Sequence, residues 1–179
     1  MIITLIGYRG CGKSSVGPIL ADRIGCSFAD SDQLVEVRAG KTISDIFADD
    51  GEAAFRQLET DVLEDLLDTP PGVIATGGGA VLAEINRERM HEAGPVIWLQ
   101  ASAETLAARI SADQSSGKNS RPSLTGRSIA DEVADVLEAR SSAYQLAATL
   151  VIDVETGTPD EIAERIFDAV TSMDFEDLA

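Results

Sequence analysis

A chain of 179 residues with 44% hydrophobic side chains is long enough for one domain with a substantial core, and too apolar to be disordered. Its 31 Asp and Glu against 14 Lys and Arg give a formal charge of −17, which argues against nucleic acid or an anionic membrane as partner. No apolar run reaches the roughly 18 residues of a membrane span, and the first strand pattern starts at residue 2, leaving no room for a signal peptide.

Ile2–Ile6 is an apolar strand, followed by Gly7-Tyr8-Arg9-Gly10-Cys11-Gly12-Lys13-Ser14. Ser14–Ile24 reads as a helix with Val16, Ile19, Leu20 and Ile24 on one face. Ser27-Phe28-Ala29 is a short strand ending at Asp30-Ser31-Asp32. Thr42-Ile43-Ser44-Asp45 has the spacing of a helix start and predicts a short helix through Phe47. A longer helix is predicted from about Gly51 to Leu67, and Pro70-Pro71-Gly72 breaks the chain. Val73–Thr76 is the next strand, closed by Gly77-Gly78-Gly79. A helix follows from about Leu82 to Glu92, then a strand over Val96–Leu99 and a helix capped by Ser102 to about Ala112. Residues 113–127 are polar and predict a long loop, which a compact domain rarely keeps without a use, often as a lid. Helix returns over about Ser128–Leu146, and Thr149–Asp153 is a fifth strand. Thr158-Pro159-Asp160-Glu161 combines an N-cap, a proline at the first helical position and Glu at N3, opening a helix to about Val170. Residues 173–179 read as an acidic tail.

Alternating strands and helices, with the strands apolar, predict the α/β class: one domain over residues 1–172, its parallel sheet covered by helices on both faces. Ligands on such sheets bind beyond the carboxyl ends of the strands. The Gly7–Ser14 loop, the Asp30/Asp32 pair and the triple glycine all follow strands, so they share one rim.

Gly7–Ser14 fits G-x-x-x-x-G-K-[ST], the phosphate-binding P-loop. Its glycines let backbone N–H groups from Gly10, Cys11 and Gly12 through Ser14 and Ser15 turn toward phosphate oxygens, helped by the positive end of the following helix. Lys13 can bridge the β- and γ-phosphates of ATP, and the Ser14 hydroxyl can hold Mg²⁺. A disulfide from Cys11 to Cys26 would tether that loop, so both are expected as free thiols in a reducing cytoplasm. Asp30 can lie toward the metal while Asp32 accepts a hydrogen bond from a substrate hydroxyl, and the bland alternative is a turn with Asp as a helix N-cap. Arg56 and Glu59, three apart on a helix, are either a solvent-facing ion pair or an arginine held toward a carboxylate ligand. Three glycines let a ligand approach the backbone, or make a flexible turn. Arg121-Pro122 in the polar loop offers an arginine for the transferring phosphoryl group, or a solvated cation. Arg140, one turn before Tyr144, is otherwise a surface arginine. His91, late in a helix, reads as a partner of that helix's dipole, and Trp98 as core.

Taken together, Gly7–Ser14, Phe28 with Asp30-Ser31-Asp32, Ile43–Phe47 followed by Gly51-Glu52, Phe55-Arg56 with Glu59, Gly77–Val81, Arg121-Pro122 and Arg140 with Tyr144 resemble the shikimate kinases, over nearly the whole chain. The resemblance implies transfer of the γ-phosphoryl group of ATP to the 3-hydroxyl of shikimate, in aromatic amino-acid biosynthesis. It implies five parallel strands in the order 2-3-1-4-5, a substrate-binding segment near residues 31–60, a lid near 113–127 and a monomer. By position it implies Lys13, Asp32 and Arg121 as catalytic, Gly10 to Ser15 and Arg121 on ATP, Ser14 and Asp30 on Mg²⁺, and Asp32, Arg56, Gly78, Gly79 and Arg140 on shikimate. Two departures stand out. The loop reads Arg121-Pro122-Ser123-Leu124 where the family often has R-P-L-L, and the arginines that members often place against adenine are absent from residues 113–116 and 153–157, Arg109 lying earlier, in a helix. Another small-metabolite kinase of the same fold, such as a gluconate kinase, and a non-catalytic nucleotide-binding module are the competing readings.

Overall fold

The computed structural model describes residues 1–69, 72–115 and 128–173. Strands β1 (Ile2–Ile6), β2 (Ser27–Asp30), β3 (Gly72–Ala75), β4 (Val96–Gln100) and β5 (Leu150–Asp153) form one parallel sheet in the order β2-β3-β1-β4-β5, as the resemblance implied. β1 lies at the centre, with Thr4 opposite Ile74 on one side and Val96 on the other. All five of its residues are buried because helices cover both faces.

Side chains alternate between two cores. Ile3, Leu5, Ile97 and Leu99 pack on one face with residues of α1 (Lys13–Ile24), α6 (Ala103–Ser115) and α8 (Pro159–Thr171). Ile2, Ile6, Val96 and Trp98 pack on the other with residues of α4 (Gly51–Leu67), α5 (Glu84–Ala93) and α7 (Ile129–Ala147). Trp98 is core, as expected, and its ring stacks on Tyr144 with centroids 5.4 Å apart. A third cluster of Val35, Ile43, Ile46, Phe55 and Val62 joins α2 (Ser31–Ala39), α3 (Ile43–Asp49) and α4.

The capping signals hold. The Thr42 hydroxyl accepts from Asp45 N–H at 3.2 Å, the Ser102 hydroxyl accepts from Thr105 N–H at 3.2 Å, and Thr158 with Glu161 closes a capping box on α8. Cys11 and Cys26 are free thiols. Among the described residues no helix is long and apolar enough to cross a membrane.

Four local expectations are corrected. Helix α2 was not foreseen; of its nine residues only Ser31 and Val35 are buried, too few for a helical stripe. Ile24 is 37% exposed, and Gly17 and Ala21 take its place on the buried face of α1. The Phe28 ring lies where a side chain on Gly17 would begin, so only glycine fits there. A 3₁₀ turn over Ala80–Leu82 precedes α5, which starts at Glu84 rather than Leu82. Helix α6 continues to Ser115, so the expected loop 113–127 begins helical. Its remainder, with Arg121-Pro122, lies outside the described residues, as do Pro70, Pro71 and residues 174–179 of the tail.

Candidate active site

The loop after β1 turns through three positive-φ glycines, Gly7 (140°), Gly10 (85°) and Gly12 (97°), a region closed to most side chains. A Cβ on Gly7 would also stand 2.6 Å from the Leu99 carbonyl oxygen. This path delivers Gly10, Cys11, Gly12 and Ser15 to the N-terminus of α1, where peptide dipoles favour an anion. Lys13 Nζ donates to the carbonyls of Gly7 (2.7 Å) and Tyr8 (3.2 Å) and approaches Cys11 Sγ at 3.5 Å. Loop acceptors thus hold the ammonium over the cradle.

Ser14 Oγ donates to Asp30 Oδ2 at 2.7 Å. Asp30 Oδ1 accepts from the N–H groups of Asp32 (3.1 Å) and Gln33 (3.4 Å). Asp30 therefore caps α2, which is the N-cap reading, and the same carboxylate also reaches the P-loop serine. A hydroxyl and a carboxylate are hard oxygen donors suited to Mg²⁺, an ion held by one or two protein oxygens plus phosphates and water. Among the described residues no group of three His, Cys, Asp or Glu could hold a metal by itself. The Ser14–Asp30 pair fits the ion without such a cage.

The triple glycine is where the remaining side chains meet. Gly77 N–H donates to Ser31 Oγ at 3.1 Å, pinning the turn to the start of α2. A Cβ on Gly77 would stand 2.7 Å from Asp32 Oδ1 and 2.5 Å from Glu59 Oε1. A Cβ on Gly79 would land on the Arg56 guanidinium. Arg56 Nη1 donates to Glu59 Oε2 at 2.7 Å and Nη2 to Glu52 Oε1 at 3.3 Å. Glu59 is only 2% exposed, so its pair with Arg56 is not the solvent-facing one, and its Oε1 is buried without a partner among the described residues. Burial pushes the Glu59 carboxyl above the usual carboxylate range, Arg56 pulls it back, and Asp32 adds to the rise.

From the other side, Gly78 O accepts from Arg140 Nη1 at 3.1 Å and from the Tyr144 hydroxyl at 2.6 Å. Tyr144 is fully buried, which pushes its phenol well above the ordinary range, so it keeps its proton and donates. Arg56, Glu59, Asp32, Arg140 and Tyr144 thus come from three helices onto three successive glycines.

Helix α6 borders the phosphate loop: a Cβ on Gly10 would stand 3.1 Å from Ile110 Cγ1 and 3.7 Å from Arg109 Cβ. Arg109 reaches away from Gly10 and donates from Nη2 to the carbonyls of Val154 (2.7 Å) and Glu155 (3.4 Å), just after β5. Its early place in a helix therefore still brings it to the loop after the last strand. An open cavity of about 210 Å³ on the same rim is lined by Gln100, Ala101, Ser102, Asp153 and Glu155.

Sequence reasoning quoted Ser31 and Glu52 within motifs but gave neither a role: nothing in the sequence signals the Ser31 bond to Gly77, whereas the i, i+4 spacing of Glu52 to Arg56 was a signal. His91 sits in the last turn of α5, as expected, and its Nε2 also lies 2.8 Å from Ala147 O, at the end of α7. Arg121 lies outside the described residues.

Comparison with known proteins bears on the family and the fold. The family model described as Shikimate kinase matches residues 9–171. Shikimate kinase 2 of Pectobacterium atrosepticum is 44% identical over 168 residues, covering 94% of this chain and 95% of that one. The structure of shikimate kinase from Acinetobacter baumannii in complex with shikimate superposes with a TM-score of 0.87 at 34% identity, over 96% of this chain and 93% of that one. A gluconokinase from Sinorhizobium meliloti shares the fold alone, with a TM-score of 0.57 at 20% identity over 94% of this chain and 90% of that one.

Proposed function

The chain belongs to the shikimate kinase family, whose activity is ATP-dependent phosphorylation of shikimate, and we propose that it performs this transfer with the side chains gathered on Gly77–Gly79. The γ-phosphoryl group of ATP passes to the 3-hydroxyl of shikimate, giving shikimate 3-phosphate and ADP. The observation that carries the reading is the meeting of two arginines, Arg56 and Arg140, and one carboxylate, Asp32, on the same glycine turn beside a P-loop. Shikimate carries one carboxylate, which suits forked guanidinium groups, and hydroxyls, which suit an aspartate acceptor.

The residues divide the work as follows. Arg56, held by Glu59 and Glu52, and Arg140, anchored on Gly78 O, clamp the shikimate carboxylate. Gly78 and Gly79 leave the backbone bare beside it. Asp32 accepts a hydrogen bond from the 3-hydroxyl and takes its proton as the new O–P bond forms. The bond from the γ-phosphorus to the β–γ bridging oxygen breaks, and ADP leaves. Lys13 exchanges the Gly7 and Tyr8 carbonyls for phosphate oxygens and offsets their charge, while Gly10 to Ser15 cradle the phosphates. Ser14 and Asp30 would hold Mg²⁺, which when bound neutralises charge on the β- and γ-phosphate oxygens. The resemblance gives Arg121, outside the described residues, to the γ-phosphate. Adenine is placed on the rim beside Arg109 and the loop after β5 that it holds, since α6 borders the phosphate cradle at Gly10. A cytoplasmic monomer is the state we propose, supported by two free thiols and a charge of −17 that sets copies against one another.

The test is a coupled ADP-release assay with Mg²⁺ and ATP against shikimate, gluconate and nucleoside monophosphates. Release that depends on shikimate alone is expected, lost when the metal is chelated. Release with gluconate, or with no acceptor preference, would overturn the reading.

A further inference from the structure

Helix α6 and the loop after β5 are joined twice. At the start of the helix, the Glu155 carboxylate accepts from the backbone N–H of Ser102 and, at 2.5 Å, from the Thr105 hydroxyl. Further along, Arg109 donates to the Val154 and Glu155 carbonyls. The loop is braced beneath these contacts. Glu155 N–H donates to Asp153 Oδ1 at 2.7 Å, Val154 N–H donates to Gln100 O at 2.8 Å, and the Val154 side chain is fully buried in the core.

Their geometry has a consequence for Arg109. Its guanidinium can face the loop only at the spacing that α6 allows, and Glu155 fixes the first turn of α6 to that same loop. The Leu106 carbonyl, the Ile110 side chain and Arg109 Cβ already border Gly10, so α6 is set by the phosphate loop along its middle and by Glu155 at its first turn. Thr105 and Ser102 hold the Glu155 carboxyl below its usual range, which keeps it an acceptor at neutral pH.

We propose that Glu155 is a positioning residue for the nucleoside end of the nucleotide: by fastening the first turn of α6 to the loop after β5, it holds Arg109 against that loop, on the rim where adenine is placed. This rests on the placement of adenine given above. It acts on the base and ribose, and leaves the phosphate cradle and the glycine turn as they are.

The experiment is calorimetric titration of the whole protein, with Mg²⁺, against ADP and separately against inorganic pyrophosphate, alongside the KM for shikimate. Glu155→Ala is expected to weaken ADP about tenfold, the worth of a partly exposed hydrogen bond or two, with pyrophosphate affinity and shikimate KM unchanged. Glu155→Gln can accept from Ser102 N–H and donate to the Thr105 hydroxyl, so it should restore most of the ADP affinity. Thr105→Val removes one donor without touching Glu155 and should give part of the same ADP-specific loss. Equal weakening of ADP and pyrophosphate, unchanged ADP binding in Glu155→Ala, or a Glu155→Gln variant as weak as Glu155→Ala would overturn the proposal. Wild-type protein that binds ADP yet does not phosphorylate shikimate would overturn the substrate reading alone, and the ADP comparison would still decide the role of Glu155.

Discussion

Gly79→Ala tests the substrate pocket through a single methyl group. Gly79 has φ −107°, so alanine meets no backbone strain there. Its Cβ would, however, land on the Arg56 guanidinium. Arg56 is the far end of a flexible side chain, so the turn can keep its shape if the guanidinium moves. That movement breaks the 2.7 Å bond to Glu59 and withdraws the fork from the substrate carboxylate. A hydrogen bond to a charged group is worth about 1.5–3 kcal/mol, so the KM for shikimate should rise roughly 10- to 100-fold with the KM for ATP unchanged. Leaving the buried Glu59 carboxylate without its partner should also lower stability by about 1–3 kcal/mol. The assay is ADP release against shikimate concentration, for the wild type, Gly79→Ala, Arg56→Ala and the double variant. If the methyl acts by displacing Arg56, it has nothing left to displace in Arg56→Ala, and the double variant should match that single one. A wild-type shikimate KM for Gly79→Ala, or its full effect added on top of Arg56→Ala, would refute the reasoning.

Other perturbations give equally definite outcomes. The raised Glu59 carboxyl makes the folded state hold its proton more tightly than the unfolded chain does. The stability this contributes is complete below the unfolded pKa, about 4.3, and is lost as pH rises through the higher folded value. Urea unfolding of wild type and Glu59→Gln over pH 4–8 should therefore show wild type losing ground to the variant as pH rises, and a difference independent of pH would contradict the burial argument. In Gly17→Ala a methyl meets the Phe28 ring, and overpacking of about 1–3 kcal/mol should outweigh the roughly 1 kcal/mol gained in helix propensity, so a stabilised variant would contradict the contact. Asp30→Asn should demand a higher Mg²⁺ concentration for half-maximal rate while leaving shikimate KM unchanged, and an unchanged Mg²⁺ requirement would remove Asp30 from the metal. Tyr144→Phe deletes the 2.6 Å bond to Gly78 O and should cost about 1 kcal/mol in thermal unfolding, because Arg140 still reaches that carbonyl; a loss several times larger would mean that Tyr144 alone holds the turn.

The features set by neighbours in the chain were legible in the sequence. The P-loop needs an apolar strand, glycines that can take positive φ, and a helix start, all within residues 2–24. The caps at Thr42, Ser102 and Thr158 are hydrogen bonds spanning three residues, so they are written into local spacing. Buried strands and amphipathic helices announced the α/β class, and the ordered motifs carried the resemblance that gave the strand order. Helix α2 escaped because it is mostly exposed and its start is fixed by Asp30, a residue that also answers to Ser14 sixteen positions away. Only the folded sheet decides the rest. Whether the Arg56–Glu59 pair is a surface ornament or a buried clamp depends on what covers Glu59, and that cover includes the glycine turn after β3. Gly78 O gathers Arg140 and Tyr144 from 62 and 66 residues away, and Arg109 finds its carbonyls 45 and 46 residues on. Contacts of that reach leave no period or spacing in the chain, because they exist only once the parallel strands have brought their carboxyl ends to one rim.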